Sequence, residues 1–206
     1  IIEGTGQKLL EIKDFDVIPD RIEAGTYMCA AAIKNQKLKI EKVIPLHLEA
    51  VISKLEEMGF EILQDDNSVT ILPTTQIKPV NIITTEYPGF PTDLQSPTAI
   101  LMSQADGVSK IHEILFEGRL NWLVELETMR GHIALMNPHE AMIFGKTPLR
   151  GAKVSSWDLR SGAAMLIAGM IASGTTELDN VSHIERGYEN FVERLQGIGA
   201  KISKKD

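Results

Sequence analysis

The stretch that decides the fold is DLRSGAAMLIAGMI, which begins at Asp158 and ends at residue 171. It opens with an acid and a base two residues apart, Asp158 and Arg160, and continues as a run that is apolar on every side of a helix. A helix that is apolar all round is buried all round. An aspartate directly before such a run is a preferred N-cap residue, because its carboxylate accepts hydrogen bonds from the free amides of the first turn. The stretch therefore predicts a central, buried helix that carries Asp158 and Arg160 at its start.

The same arrangement occurs twice more in the chain. DRIEAGTYMCAAAIKNQKLKIEKV begins at Asp20, and DLQSPTAILMSQADGVSKIHEILF begins at Asp93. In each copy a polar opening is followed by an apolar stretch, a break and a short alternating strand, predicted at residues 37–41, 109–113 and 175–179. A further strand is predicted before each aspartate, around residues 9–15, 80–84 and 152–155. We interpret the chain as three copies of one unit.

Each copy also contains a second helix, whose apolar residues recur at steps of three and four and so form one stripe that faces a core. The stripes are Leu48, Val51, Ile52, Leu55 and Met58 in the first copy, Trp122, Leu123, Leu126 and Met129 in the second, and Tyr188, Phe191, Val192, Leu195 and Ile198 in the third. Gly59, Gly131 and Gly199 are predicted to end these helices in a left-handed turn. Strands are expected next at 60–63, 132–136 and 200–203, with hairpin turns at QDDNS and NPHE. Together these elements predict the α/β class, with pseudo-threefold symmetry and the fully apolar helices at the centre.

Composition excludes several classes of protein. The 206 residues carry a formal net charge of −7 without a dense basic cluster, so nucleic acid is not expected as a partner. The single cysteine, Cys29, excludes an internal disulfide framework and suits a reducing cytoplasm. No apolar run approaches bilayer-spanning length, so no membrane partner is expected. The chain starts at Ile1 without methionine, and we interpret it as a segment of a longer protein.

The helix starts are the predicted place for a site. The candidates are three aspartates at the starts of central helices, two arginines at the starts of outer helices and the arginine beside the third aspartate: Asp20, Asp93, Asp158, Arg119, Arg186 and Arg160. Helix N-termini attract anions, because their amides are unpaired and carry partial positive charge. If the three copies surround one axis, these ends meet at one edge. Arginines there suit a small anionic substrate.

Each candidate also has a purely structural interpretation. An aspartate at a helix start is usually a cap that contributes about 1 kcal/mol. An arginine is most often solvated or ion-paired at the surface, and Glu117 near Arg119 offers such a pairing. Cys29 lies in an apolar helix, where an inert core thiol is expected. The five histidines show no metal-ligand spacing, so neither a metal nor a cofactor is predicted.

Several motifs carry a resemblance to a known family. They are PDRIEAGT (residues 19–26), PTDLQ (91–95), FEGR (116–119), DLRSGA (158–163), HIERGYE (183–189) and LQGIGAKI (195–202). In this order they resemble the UDP-N-acetylglucosamine 1-carboxyvinyltransferases of the enolpyruvyl transferase family. The resemblance implies a domain of three βαβαββ repeats, about 1–72, 73–146 and 147–206, arranged like an inverse α/β barrel with helices inside and sheets outside. It implies transfer of the enolpyruvyl group of phosphoenolpyruvate to the 3-hydroxyl of UDP-N-acetylglucosamine, the first committed step of peptidoglycan synthesis, in the cytoplasm.

The resemblance also assigns roles to individual residues. Asp93 is implied to be the general base for the sugar hydroxyl, and Asp158 to take part in proton transfer. The implied substrate-binding residues are Asp93, Leu115, Arg119, Arg160, Arg186, Asp20 and Arg21. Among these, the resemblance implies that Arg119 and Arg186 hold phosphoenolpyruvate and that the backbone of Leu115 contacts the nucleotide sugar.

The chain departs from the family in two respects. The family usually has asparagine where Gly118 stands, which would loosen the loop of Arg119. The chain also resembles only one of the family's two domains, so the missing domain is an expected partner and the isolated chain is expected to be inactive or nearly so. Two alternatives remain open. One is a related domain that binds a nucleotide sugar or a protein partner without catalysis, and the other is an enolpyruvyl transferase with another acceptor.

Overall fold

The computed structural model describes residues 1–6 and 14–204, and these residues form an α/β fold, which confirms the predicted class. The helices are α1 (Arg21–Lys34), α2 (Glu49–Glu57), α3 (Gln95–Met102), α4 (Leu123–Thr128), α5 (Leu159–Ile171), α6 (Ser182–Glu185) and α7 (Phe191–Gly197). The strands are β1 (Leu38–Glu41), β2 (Ile62–Asp65), β3 (Ser68–Ile71), β4 (Asn81–Thr84), β5 (Val108–Glu113), β6 (His132–Asn137), β7 (Glu140–Phe144), β8 (Lys153–Ser155) and β9 (Glu177–Asp179). Short 3₁₀ helices, Pro45–Leu48 and Thr92–Leu94, precede α2 and α3.

The three helices that the sequence predicts to be central, α1, α3 and α5, contact one another. Met28, Ile100 and Met165, one from each helix, are completely buried. Burial of each such side chain stabilises the fold by roughly 1.5–3 kcal/mol. At Gly25 of α1, a Cβ atom would collide with the side chain of Leu94, so the glycine permits the close approach of the segment that leads into α3. Within the described part of the chain, none of the helices is long and apolar enough to cross a membrane.

Each central helix packs against a sheet of its own. The first sheet has the order β1-β3-β2 and is antiparallel. The second has the order β4-β5-β7-β6, in which β4 and β5 are parallel and the other pairs are antiparallel. The third is the parallel pair β8-β9. The predicted hairpins at QDDNS and NPHE join β2 to β3 and β6 to β7.

Some predicted elements differ from the structure. Residues 200–203, predicted as a strand, form none. Ile198, placed in the core-facing stripe, is exposed, because α7 ends at Gly197. The strand predicted at 9–15 lies mostly outside the described residues.

The glycines that follow the outer helices fulfil two different functions. Gly59 and Gly199 have φ angles of +98° and +97°, which confirms the predicted left-handed turns. The same prediction is wrong for Gly131, because the left-handed residue there is Arg130, with φ of +69°. A Cβ atom on Gly131 would lie 2.7 Å from the carbonyl oxygen of Leu126. Gly131 is therefore needed for close backbone packing and not for its φ angle.

Candidate functional site

Asp93 lies in the 3₁₀ helix Thr92–Leu94, one short turn before α3. Its carboxylate makes no capping hydrogen bond, and Leu94 occupies the N-cap position of α3. The interpretation of Asp93 as a helix cap is therefore wrong. The extra turn leaves both of its carboxylate oxygens available to other side chains.

Two arginines hold Asp93. Arg119 Nη2 donates a hydrogen bond to Asp93 Oδ1 at 2.6 Å, and Arg160 Nε donates to Oδ2 at 3.1 Å. The Asp93 side chain is 31% exposed. Burial raises the pKa of Asp93, but the hydrogen bonds and charges of Arg119 and Arg160 outweigh burial and hold the pKa below its ordinary value. Asp93 is therefore an ionised carboxylate between two cations near neutral pH.

Arg119 is oriented by three neighbours besides the carboxylate. Its Nη1 donates to Thr92 Oγ1 at 2.8 Å, and its guanidinium carbon lies 5.2 Å from the ring centroid of Phe116. Its backbone carbonyl accepts a hydrogen bond from Gln95 Nε2 at 3.3 Å. Arg119 lies in the loop before α4, so the expectation that it begins an outer helix is wrong.

Arg160 reaches Asp93 from the first turn of α5. Its guanidinium carbon lies 5.0 Å from the ring centroid of Tyr188, whose hydroxyl is hydrogen-bonded to Thr26 Oγ1 at 2.9 Å. Burial lowers the pKa of Arg160, but the neighbouring Tyr188 and Asp93 outweigh burial and raise it. Arg160 Nη1 is buried and has no hydrogen-bond partner among the described residues. The side chain is thus a fixed cation with one donor group still unused.

Asp158 and Asp20 are helix caps. Asp158 Oδ1 accepts hydrogen bonds from the amides of Arg160 at 2.8 Å and Ser161 at 3.0 Å, and the Asp158 amide donates to the Ser161 hydroxyl at 3.1 Å, which completes a capping box. Asp20 Oδ1 accepts from the amides of Ile22 and Glu23 at 2.7 and 3.1 Å. In the described part of the chain the side chains of Asp158 and Arg160 form no ion pair with each other, although they are only two residues apart in the motif.

Three further predicted residues, Arg186, Arg21 and Leu115, form no hydrogen bond or ion pair with Asp93, Arg119 or Arg160 in the part of the chain that the structure describes. Arg186 follows the last residue of α6, so it does not begin an outer helix as expected. It is exposed, and its guanidinium has no partner among the described residues. A Cβ atom on the adjacent Gly187 would lie 3.6 Å from Arg160 Nη1, so the chain at Arg186 runs past Arg160. Arg21 lies over the ring of Tyr87 at 5.5 Å.

Leu115, the third of these residues, is half-exposed, and its amide is already occupied. The Leu115 N–H donates to Glu113 Oε1 at 3.0 Å. The predicted contact from the backbone of Leu115 to a substrate would therefore have to come from its carbonyl oxygen.

Glu113 is part of the site although the sequence interpretation did not select it. Its side chain is completely buried, and it accepts a hydrogen bond from Thr92, the residue that also binds Arg119. The signal was present in the alternation of β5, where Ser109, Ile111 and Glu113 point to the buried face. A glutamate at a strand position that faces the core indicates a specific partner, because a buried carboxylate must be compensated by hydrogen bonds or by an opposite charge.

The other reactive side chains stand apart from this cluster. Cys29 is fully buried beside Thr98, and burial raises the pKa of its thiol to about 12, as expected for an inert core thiol. No group of histidine, cysteine and carboxylate side chains in residues 1–6 and 14–204 is arranged to hold a metal ion. Cavities of about 260 and 360 Å³ are lined by other residues, among them Gln104 and Arg130 respectively. Neither cavity includes Asp93, Arg119 or Arg160, and the Asp93 side chain is partly exposed.

The comparisons with known sequences are consistent with the motifs. The family described as EPSP synthase (3-phosphoshikimate 1-carboxyvinyltransferase) matches residues 1–195. The chain is 60% identical over 205 residues to the UDP-N-acetylglucosamine 1-carboxyvinyltransferase of Aliarcobacter butzleri (strain RM4018), a match that covers 99% of this chain and 48% of the relative. A Campylobacter jejuni protein of the same name (serotype O:6, strain 81116 / NCTC 11828) is 49% identical over 203 residues, with 98% and 48% covered. The chain spans about half the length of the curated relatives it matches.

Solved structures agree with the fold. The enolpyruvyl transferase NikO from Streptomyces tendae superposes with a TM-score of 0.82 at 29% identity, over 91% of this chain and 44% of that protein. An EPSP synthase from Acinetobacter baumannii gives a TM-score of 0.66 at 18% identity, over 89% of this chain and 46% of that protein. The second likeness concerns the fold alone.

Proposed function

The chain belongs to the EPSP synthase family, and from this premise we propose that it is the catalytic half of an enolpyruvyl transferase. The proposed reaction transfers the enolpyruvyl group of phosphoenolpyruvate to the 3-hydroxyl of UDP-N-acetylglucosamine and releases phosphate. This is the first committed step of peptidoglycan synthesis and takes place in the cytoplasm. The choice of acceptor is supported by the name of a relative that is 60% identical over 99% of this chain.

The observation that carries the proposal is the arrangement of Asp93 between Arg119 and Arg160. A transfer from phosphoenolpyruvate requires a base for the acceptor hydroxyl and positive charge for the carboxylate and phosphate groups. The cluster provides an ionised carboxylate and two guanidinium groups within hydrogen-bonding distance of it. Arg186, exposed and without a partner in the described residues, is a further cation, and its neighbour Gly187 lies close to Arg160.

In the proposed chemistry, the hydroxyl oxygen of the sugar bonds to C2 of phosphoenolpyruvate while C3 gains a proton. The C2–O bond to phosphate then breaks as C3 loses a proton, so the products are the enolpyruvyl ether and inorganic phosphate. Asp93 accepts the hydroxyl proton, and Asp158 takes part in the proton transfer at C3. Arg119, Arg160 and Arg186 hold the anionic substrate and stabilise the departing phosphate.

The same geometry implies that substrate binding activates Asp93. Both oxygens of its carboxylate accept hydrogen bonds from arginines, and such a carboxylate is a weak base. An anionic substrate competes with Asp93 for the same guanidinium groups. When phosphoenolpyruvate takes over one arginine, an oxygen of Asp93 becomes available to the sugar hydroxyl.

We further propose that the chain is a single enolpyruvyl transferase domain of three βαβαββ repeats, about 1–72, 73–146 and 147–206, with pseudo-threefold symmetry and helices inside an inverse barrel. The mutual contacts of α1, α3 and α5, each with its own sheet, support this arrangement. The third repeat departs from the pattern, since its sheet has only β8 and β9 in the described residues. A second domain would cover the partly exposed Asp93, and the half-length match to the relatives supports such a partner.

The proposal is tested by measuring phosphate release from phosphoenolpyruvate. The full-length enzyme should release phosphate with UDP-N-acetylglucosamine and not without an acceptor. The isolated chain should be nearly inactive, and the second domain added in trans should restore activity. Release with shikimate 3-phosphate in place of the nucleotide sugar would contradict the proposed acceptor. Binding of UDP-N-acetylglucosamine without phosphate release would favour the non-catalytic alternative.

A further inference from the structure

Glu113 ends β5 with its side chain completely buried, and the carboxylate accepts four hydrogen bonds. Oε1 accepts from Thr84 Oγ1 at 2.8 Å and from the amides of Leu115 at 3.0 Å and Phe116 at 3.3 Å. Oε2 accepts from Thr92 Oγ1 at 2.6 Å. A buried carboxylate with this many donors is fully compensated, so Glu113 can be a fixed part of the structure.

The direction of these hydrogen bonds follows from the donors. A guanidinium has no acceptor, so Thr92 Oγ1 must accept the bond from Arg119 Nη1. The hydroxyl has a single proton, and with the oxygen occupied in this way the proton points to Glu113 Oε2. Glu113 thereby orients the Thr92 hydroxyl so that its oxygen faces Arg119.

Glu113 also holds the loop from which Arg119 extends. Its Oε1 binds the amides of Leu115 and Phe116, and the ring of Phe116 lies against the guanidinium of Arg119. One carboxylate therefore determines both the course of the loop and the hydroxyl that receives the arginine. Thr92 and Asp93, which are consecutive residues, thus accept hydrogen bonds from the two terminal nitrogens of the same guanidinium.

This role is specific to the second unit. The equivalent strands of the other units, β1 and β9, also end on an acid, but Glu41 and Asp179 are exposed and pair with Lys39 and Lys153 at the surface. Those ion pairs lie at solvent-exposed strand ends, where an ion pair contributes little to the stability of the fold. Among these three equivalent strands, only β5 has a terminal acid that points inward to the candidate site.

We propose that Glu113 and Thr92 are positioning residues that hold Arg119 ready for the anionic cosubstrate. The inference rests on the proposed enolpyruvyl transfer and names two residues of that site with no contact to the reacting atoms. Without the hydroxyl of Thr92, the guanidinium of Arg119 keeps its contact with the Phe116 ring and a single hydrogen bond, to Asp93, which the substrate must displace. The affinity for phosphoenolpyruvate should then fall more than the rate of the chemical step.

The test is steady-state kinetics of Thr92→Val, Thr92→Ser and Glu113→Gln in the full-length enzyme. Thr92→Val keeps the shape of the side chain and removes the hydroxyl, so KM for phosphoenolpyruvate should rise about 10-fold, the usual consequence of losing one hydrogen bond to a charged group. Thr92→Ser restores the hydroxyl and should return KM to the wild-type value. Glu113→Gln places an N–H donor opposite the Thr92 proton and should raise KM in the same way. Glu127→Gln, an exposed acid on α4, is the matched control and should change nothing.

A crystal structure of Thr92→Val provides a second readout, in which the guanidinium of Arg119 should have moved from its position. A fall in melting temperature with KM unchanged in both Thr92→Val and Glu113→Gln would overturn the proposal, because it would indicate a merely structural role. An Arg119 side chain that keeps its position in the Thr92→Val structure would overturn it as well. If the wild-type enzyme releases no phosphate, the proposed function fails, and the position of Arg119 in the crystal still decides the positioning role.

Discussion

Asp158 and Asp93 begin equivalent stretches of sequence, yet their carboxylates bind different groups. Asp158 stands directly before α5 and accepts hydrogen bonds from backbone amides of the helix. Asp93 stands one 3₁₀ turn before α3, caps nothing, and accepts hydrogen bonds from Arg119 and Arg160. One additional 3₁₀ turn between the aspartate and its helix therefore decides whether the carboxylate caps the helix or binds arginines.

The difference between these two aspartates shows how a repeated scaffold acquires a site. Similar starts place three aspartates at the ends of three packed helices. At Asp93 the helix start is displaced, and the carboxylate is available to Arg119 of its own unit and to Arg160 of the next. Variants of Asp93 and Asp158 can separate the role of an aspartate as a helix cap from its role in catalysis.

The largest effect is expected for Asp93→Asn in the full-length enzyme. Asparagine cannot accept the hydroxyl proton and carries no charge for the two arginines, so turnover should fall about 100-fold or more, in line with the usual contribution of a general base. The measurement is phosphate release at saturating substrates. Asp66→Asn, at the exposed tip of the β2–β3 hairpin, is the matched control and should retain wild-type turnover. Unchanged turnover in Asp93→Asn would remove Asp93 from the mechanism.

A pair of variants at Asp158 separates capping from chemistry. Asp158→Ala should lower the free energy of unfolding by about 1 kcal/mol, whereas Asp158→Asn should preserve it, because asparagine is as good an N-cap as aspartate. Both variants should lose turnover if Asp158 takes part in proton transfer. Denaturant unfolding and phosphate release measure the two properties separately. An Asp158→Asn enzyme that is both stable and fully active would show that the residue is only a cap.

A smaller effect is expected in the pH dependence of stability. The folded-state pKa of Asp93 lies below its ordinary value of 3.8, so the unfolded chain binds this proton more readily than the folded chain. The stabilisation from the ion pairs is therefore complete above pH 3.8 and is lost as the pH falls through the lower, folded-state pKa. The free energy of unfolding of the wild type should fall more steeply with acid than that of Asp93→Asn. If the free energy of unfolding fell equally with acid in the two proteins, the ion pairs of Asp93 would not contribute to stability.

The smallest effect is expected for Gly118→Asn, the residue that the related family usually has. Gly118 has φ of +72°, a conformation that asparagine tolerates better than most residues. The new Cβ atom would lie 3.3 Å from Asn121 Nδ2, which needs only a slight adjustment. The free energy of unfolding should change by less than about 0.5 kcal/mol, whereas Gly118→Val should cost roughly 1–3 kcal/mol of backbone strain. A large loss in the asparagine variant would show that the loop of Arg119 requires glycine.

Much of the architecture was predictable from local pattern. The apolar runs predicted the central helices α1, α3 and α5, because a helix without a polar face must be covered on all sides. The turn residues predicted both hairpins, and the motifs selected Asp93, Arg119 and Arg160 as members of one site. The partner of Arg160 was not predictable, because Asp158 lies two residues from it in the sequence whereas its actual partner, Asp93, lies 67 positions away. Glu113 was missed although the alternation of β5 places it on the buried face, because its partners, Thr84 and Thr92, lie far away in the sequence.

By itself, the sequence determined the order of elements, the caps at Asp20 and Asp158, and the turns at Gly59 and Gly199, because these depend on interactions among residues a few positions apart. The tertiary structure alone decided that Asp93 receives Arg160 from 67 positions away and that Thr26 meets Tyr188 across 162 positions. Such contacts depend on how three helices pack and on where each one starts. Periodicity predicts which side of a helix is buried, but the partner of a charged side chain is determined by the distances that packing creates.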